Sequence, residues 1–288
     1  MASEYDISII IVSFNCLGPL KACLDSIKAQ RDVSFETIVV DNDSRDDTPH
    51  FLKNQKDICP VFPGRNIGVG AAVNLAAKQA RGRYLFILNP DTILPPDCLP
   101  SLLEFADSHP DFGLLSPFLL NLDGTYQISA RKFPRRRDLF FGRGSPLYKL
   151  GFAREKDAGY YSSIGEMPQQ VPAVSATAIY MKTELFRDLG GFDERFFMYL
   201  EDLDLCKRIS ECSLPIWILP SIKITHSWRR SSSTRPYFAL FYHHLSVYKY
   251  FKKHYSKQRH YNLGLGLALV MGFVLSAGLT ALRSGDKS

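Results

Sequence analysis

Between Gly190 and Asp204 the chain sets Asp193, Glu201, Asp202 and Asp204 among Phe192, Phe196, Phe197 and Leu203. Packing alone does not explain acids in such company. A carboxyl group held in an apolar, partly closed site has its pKa pushed toward the range useful for proton transfer. Such a group can take the proton of a hydroxyl nucleophile. The plainer reading is that acids in the first turn of a helix only answer the helix dipole.

The elements that must position these acids follow from apolar patterning. Residues 7–13 (Ile-Ser-Ile-Ile-Ile-Val-Ser) form a run expected of a strand buried on both faces. Further strands are expected over 35–40, 58–62, 83–88, 112–116 and 171–181. Helices are expected over 19–30, 68–81, 96–108, 183–189 and 202–212, the fourth of these ended by Gly190-Gly191. Alternation of this kind implies a mostly parallel sheet covered on both sides. Polar residues gather where strands end: Ser13 and Asn15, Asp41 and Asn42, Asn89 and Asp91. In open α/β sheets that edge is where ligands bind. Residues 121–171 are irregular, basic and rich in Gly, Pro and Tyr, as a lid or long excursion would be.

A net charge of +6 is modest but clustered. Arg131, Lys132, Arg135, Arg136, Arg137 and Arg143 form one group, Arg229 and Arg230 a second, and Lys249, Lys252, Lys253, Lys257 and Arg259 a third. Such clusters suit phosphates, anionic lipid or nucleic acid, and composition does not choose among them. The six cysteines show no CxxC and no paired spacing, which argues against zinc or a disulfide framework. Residues 1–6 are polar and acidic, so no signal peptide is expected. By contrast, 263–282 is a run of 20 residues without formal charge. As a helix it would cover about 30 Å, the thickness of a bilayer's hydrocarbon. Gly264, Ala268, Gly272, Ser276 and Thr280 form a small-residue stripe at spacing four, which permits helix pairing and a homo-oligomer. A membrane segment is therefore expected there, with the heavier positive charge before it keeping the preceding domain in the cytoplasm.

Taken in order, Val12-Ser13-Phe14-Asn15, Val39-Val40-Asp41-Asn42-Asp43-Ser44, Asn66-Ile67-Gly68-Val69-Gly70 with Asn74, Leu88-Asn89-Pro90-Asp91, Gly190-Gly191-Phe192-Asp193, Glu201-Asp202-Leu203-Asp204 and His226 resemble a family 2 glycosyltransferase with the GT-A fold. The resemblance runs from residue 7 to about 233. The Asn-Pro-Asp form and the apolar tail are most similar to the rhamnosyltransferase-like branch, which builds bacterial surface polysaccharide on lipid carriers.

The resemblance implies a GT-A (Rossmann-like), mostly parallel sheet flanked by helices, with a C-terminal hydrophobic membrane helix. It implies a glycosyltransferase domain over 1–235, divided into a nucleotide-sugar-binding half (1–120) and an acceptor-binding and catalytic half (121–235). A basic aromatic membrane-proximal helix (236–260) and a transmembrane segment with a short tail (261–288) follow. The expected enzyme is an inverting hexosyltransferase. Asp202 would act as base and Glu201 would orient the acceptor, while Asp193 fixes a turn and Asp204 serves structure.

For the nucleotide sugar the resemblance implies Ser13, Asn15, Asp41, Asn42, Asn66, Gly68, Asn74, Asn89, Asp91, Arg229 and Arg230. Plainer roles stand beside these: a turn for Asn15, capping near Asp41, and the helix N-cap for Asn66, whose alternative is a diphosphate met by backbone N–H groups. Asp91 and His226 would ligate Mg²⁺ or Mn²⁺. Asn89 stands where the family more often has a second acid, which weakens the expected metal dependence.

The expected partners are a nucleotide-sugar donor, with dTDP-rhamnose first and UDP-hexoses open, a polyprenyl diphosphate-linked glycan acceptor, and the membrane, without nucleic acid. The basic loop 131–143 would serve as acceptor platform or as plain solvated surface. The expected location is the cytoplasmic face of a bacterial inner membrane, with a single C-terminal anchor. A catalytically silent, sugar-nucleotide-binding scaffold is the alternative. A nucleotidyltransferase would need a Gly- and Lys-rich first loop, which residues 13–21 lack.

Overall fold

The computed structural model describes residues 3–135, 138, 164–227, 236–255 and 259–285. The first half runs β1 (Tyr5–Ser13), α1 (Leu17–Lys28), β2 (Phe35–Asp41), α2 (Thr48–Lys53), β3 (Cys59–Val61), α3 (Val69–Ala77), β4 (Gly82–Leu88), β5 (Thr92–Ile93), α4 (Cys98–Ser108) and β6 (Leu114–Leu120). Then come β7 (Ala130–Arg131), β8 (Gln169–Gln170), β9 (Ala173–Val174), β10 (Ala178–Lys182), α5 (Thr183–Asp188), α6 (Glu201–Glu211), β11 (Ile216–His226), α7 (Pro236–His254) and α8 (Arg259–Gly285).

The main sheet has the order β3-β2-β1-β4-β10-β6-β11-β5, with β8 also pairing β11. Strands β3, β2, β1 and β4 are parallel, with Ser13 level with Asp41 and Ile11 level with Leu88. Their C-terminal ends therefore share one edge. Alternate residues serve two cores: Ile10, Val40 and Ile87 face α3 and α6, while Ile9, Val39 and Phe86 face α1 and α4. All six are buried, as the apolar runs require.

The sheet is mixed, which corrects the mostly parallel expectation within an otherwise GT-A-like α/β fold. Strand β10 runs antiparallel to both β4 and β6, because the chain re-enters the sheet at the edge where β4 finishes. The apolar run over 171–181 is accordingly broken into β9 and β10. Residues 175–177 lie between them, next to Asn89, whose N–H donates to Thr177 O at 2.9 Å. Strand reversal thus delivers a second set of groups to the ligand-binding edge.

Helices α7 and α8 form an antiparallel hairpin, with Phe241 against Phe273 and Tyr248 beside Gly266. Tyr250 and Phe251 bury the inner face of α7 in the core. Among the described residues no helix is long and apolar enough to cross a membrane. The expected span over 263–282 is thus not shown. Within α8, Leu265 is buried, while Leu263, Leu267, Val270, Met271 and Val274 are each more than half exposed.

Candidate active site

A cleft of about 630 Å³ opens at the C-terminal edge of β1, β2 and β4. Its walls include Asn42, Asn66 and Gly68 at one end, Asn89, Asp91 and His226 at its middle strands, and Glu201, Asp202 and Arg131 from the second half of the chain. That size and mixture suit a small-molecule site.

Beside the lining Asn42, though not itself in the lining, Asp41 is 4% exposed and its Oδ1 has no hydrogen-bond partner, while Oδ2 accepts from Ser44 N at 3.2 Å. Burial raises the Asp41 pKa. An orphaned buried acceptor costs free energy unless a donor arrives. Asn42 is also buried, and it accepts from Ile67 N and donates to Asn66 Oδ1, so β2 and the loop before α3 are tied together.

Other expected contacts are placed elsewhere. The Gly68 N–H donates to Asn66 Oδ1, and the Val69 N–H to Phe197 O. The N–H groups of Gly68 and Val69, at the start of α3 where a diphosphate was expected, are therefore already satisfied from within the protein. Gly68 has φ +85°, and a Cβ there would fall 2.5 Å from Phe197 O, so glycine is required at this approach. Asn74 brackets the backbone of Phe192 and also donates to Glu194, acting as a strut outside the cleft. Ser13 is fully buried against Cys16. Asn15 has φ +50° and holds Ser44 and Arg45, which is the turn role. Arg229 and Arg230, and most of the basic loop 131–143, lie outside the described residues.

In mid-cleft, His226 Nε2 lies 3.1 Å from Asp91 Oδ1 and 3.4 Å from Asn89 Nδ2. On the other side of the ring, Nδ1 lies 2.5 Å from Gln127 Oε1. One carboxylate and one imidazole side by side fit a divalent cation whose other ligands are phosphate oxygens and water. Among the described residues no group of three or more His, Cys, Asp or Glu could hold a metal by itself. The protein alone thus supplies part of a coordination shell.

The same cleft is lined by the acid pair that begins α6. Asp202 Oδ1 accepts from Leu203 N at 2.8 Å, and Oδ2 accepts from Ala176 N at 3.4 Å and lies 3.6 Å from Arg131. Glu201 is buried with Oε2 lacking a partner, and burial followed by the Asp202 charge pushes its pKa up to about 8. It is therefore a neutral acid at pH 7 and can donate a hydrogen bond. Asp193 and Asp204 are fixed by cations. Arg195 and Lys253 hold Asp193 low. Although burial pushes Asp204 up, His254, Lys253 and Arg208 more than offset it and leave it lowered.

The approach to α6 is strained, since Tyr199 and Leu200 both adopt φ near +65°, an unfavourable conformation for such residues. Helix α7 holds it in place: Ser246 Oγ donates to Met198 O at 2.8 Å, and Tyr242 stacks on Phe197 at 4.4 Å. Sequence reasoning missed Gln127, the 175–177 wall, and the cleft-lining Phe238 and Tyr242 of α7. The aromatic spacing in 236–255 was the available signal, but it reads equally as membrane-proximal surface.

The model of "Glycosyl transferase family 2" matches residues 8–166, more than half of the chain. The N-acetylglucosaminyl-diphospho-decaprenol L-rhamnosyltransferase of Mycobacterium tuberculosis is 27% identical over 256 residues, covering 83% of this chain and 82% of that protein. Rhamnosyltransferase WbbL of Escherichia coli is 26% identical over 235 residues, covering 76% and 82%. Among solved structures, S. aureus TarS 1-349 in complex with UDP-GlcNAc superposes with a TM-score of 0.57 at 17% identity, over 92% of this chain and 71% of that one. Such a likeness establishes the fold. Motifs, sheet edge and family match agree: the chain belongs to glycosyl transferase family 2 and is a glycosyltransferase, similar to the rhamnosyltransferases within it.

Proposed function

We propose that this enzyme is an inverting transferase that moves a sugar, with dTDP-rhamnose the first candidate donor, onto a polyprenyl diphosphate-linked glycan at the cytoplasmic face of a bacterial inner membrane. One observation carries the reading: a single cleft is lined both by the Asp91–His226 pair and by the Glu201–Asp202 pair. The first suits a diphosphate leaving group and the second a hydroxyl nucleophile. The names of the two rhamnosyltransferase relatives support the donor, and that of the mycobacterial one the lipid-linked acceptor.

In this reading Asp41 Oδ1 accepts the imide N–H of the pyrimidine base. Asp91 and His226 are the residues that would hold Mg²⁺ or Mn²⁺ at the diphosphate end of the donor. When bound, the cation supplies positive charge against the negative charge of the leaving group. Asp202 accepts the proton of the acceptor hydroxyl as that oxygen bonds to the anomeric carbon. The bond from that carbon to the diphosphate oxygen breaks on the opposite face, and configuration inverts. Neutral Glu201 donates a hydrogen bond that orients the acceptor. The exposed apolar side of α8 rests on the bilayer and keeps the cleft close to the lipid carrier.

The test is thermal stabilisation against a panel of nucleotide sugars, with and without Mg²⁺ or Mn²⁺. Saturating ligand that binds only the folded state adds a few kcal/mol of apparent stability. A selective, metal-dependent shift with dTDP-rhamnose is expected. A shift with a UDP-hexose alone would replace the donor. No shift with any donor would point to a silent protein that has lost donor binding, or to a site that assembles only when acceptor lipid is present.

A further inference from the structure

We infer that the turn at residues 121–127 fixes a proton on Nδ1 of His226, and that Gln127 is the positioning residue that turns Nε2 toward a cation shared with Asp91. The inference rests on the reading of Asp91 and His226 as cation ligands.

The polarity of the hydrogen bonds is fixed from an ionised end. The Thr125 hydroxyl and N–H both donate to Asp123 Oδ1, at 2.6 and 2.9 Å. These bonds hold the Asp123 carboxyl below its usual range, so it only accepts. With its proton spent on Asp123, Thr125 Oγ1 accepts from Asn121 Nδ2 at 3.0 Å. Asn121 therefore turns Oδ1 toward Gln127, whose Nε2 donates to it at 3.0 Å and to His226 O at 3.5 Å.

A reversed Gln127 amide would set Oε1 against two oxygens at once, so the orientation follows from the network. Gln127 Oε1 is then left facing Nδ1 of His226 at 2.5 Å in a buried contact. An amide oxygen only accepts, so Nδ1 carries the proton.

The consequence falls on the other ring nitrogen. With the Nδ1 proton held by Gln127, Nε2 is the nitrogen left to meet a cation, and it lies 3.1 Å from Asp91 Oδ1 and 3.4 Å from Asn89 Nδ2. A second-sphere acceptor on one nitrogen, which orients the ring and raises the basicity of the other, is how proteins prepare imidazole for a metal. Here the acceptor is a neutral amide, oriented by a surface turn about 100 residues earlier in the chain.

Two measurements test this. In ¹⁵N-histidine-labelled protein with saturating Mg²⁺ and UDP, long-range ¹H–¹⁵N correlations should show His226 protonated on Nδ1 alone, with the signal assigned by its loss in His226→Gln. Mn²⁺ affinity in the presence of UDP, read by electron paramagnetic resonance, should fall about tenfold in Gln127→Leu, the scale for loss of an outer-sphere partner.

A proton found on Nε2, or unchanged Mn²⁺ affinity in Gln127→Leu, overturns the inference. If Gln127→Leu does not fold, the wild-type tautomer still decides. A wild-type protein that binds UDP but no Mn²⁺ would overturn the cation reading and this inference with it. Nucleotide-sugar stabilisation without metal would still uphold the transferase.

Discussion

Arg131 sets its guanidinium 3.6 Å from Oδ2 of Asp202, although 71 positions separate the two residues in the sequence. The short pair β7–β9 brings Arg131 to the cleft, while the strained turn at Tyr199–Leu200 aims Asp202 from the start of α6. With the Leu203 and Ala176 N–H groups, Asp202 is held from three sides before any substrate arrives. Asp202→Asn keeps the shape and loses the proton acceptor. Turnover should fall at least about a hundredfold, as for other removed general bases, with donor affinity changed only a few-fold. Near-normal turnover in this variant, measured with the best donor, would remove Asp202 from the role.

Glu201 makes a separate prediction about stability. Its pKa rises from 4.5 to about 8 on folding, through burial first and the Asp202 charge second. The folded state thus keeps a proton that the unfolded chain releases between those two values. Stability from this group is fully present below 4.5 and drains away as pH rises toward 8. Glu201→Gln never has to release that proton. The melting temperature of wild type should therefore fall relative to Glu201→Gln as pH is raised across this window, and parallel curves would show that Glu201 is not held neutral.

The strand edges that build the nucleotide end were legible because both-face-buried strands are continuous apolar runs, and their ends are marked by Asp41-Asn42 and Asn89-Pro90-Asp91. The Glu201-Asp202 pair was legible as acids in apolar company. What was not legible depended on register and direction. Strand β11 carries Pro220 and a register shift between Leu219 and Lys223, so its apolar pattern is interrupted, although it ends at His226. No local signal says that β10 runs antiparallel, yet that reversal puts Ala176 against Asp202. Asn74 reads like a ligand-binding polar residue, and only the fold shows both ends of its amide spent on Phe192.

Lys253 lies 2.8 Å from Asp193 and 2.5 Å from Asp204, so one cation of α7 joins the acids on both sides of the catalytic turn. Asp204 is fully buried, and it accepts from Arg208 and pairs with His254. Removing the carboxylate takes a partner from Lys253, Arg208 and His254, and breaking a buried network of this kind costs about 3–5 kcal/mol. Asp204→Ala should lose that much in denaturant unfolding. Because the Asp204 pKa is lowered on folding, its contribution holds above the unfolded value and disappears as pH falls through the folded one. The deficit of Asp204→Ala should therefore shrink in acid, and a deficit independent of pH would assign its cost to packing instead.

The outer face of α8 presents Leu263, Leu267, Val270 and Val274, each more than 60% exposed. Beside it, α7 exposes Tyr237 and Phe241 and also lines the cleft through Phe238 and Tyr242. An apolar patch joined to a cleft wall by a single helix suits a surface that meets lipid while the site takes a lipid-linked substrate. Burying one leucine-sized side chain contributes about 1.5–3 kcal/mol, or roughly tenfold or more in affinity. The double variant Leu267→Asp, Val274→Asp should therefore lose at least about a hundredfold in binding to anionic phospholipid vesicles by co-sedimentation. Its donor-induced thermal shift should be unchanged, because neither side chain lines the cleft. Vesicle binding equal to wild type would turn attention to the basic residues of α7, and loss of the donor shift would mean that the hairpin supports the fold rather than the membrane contact.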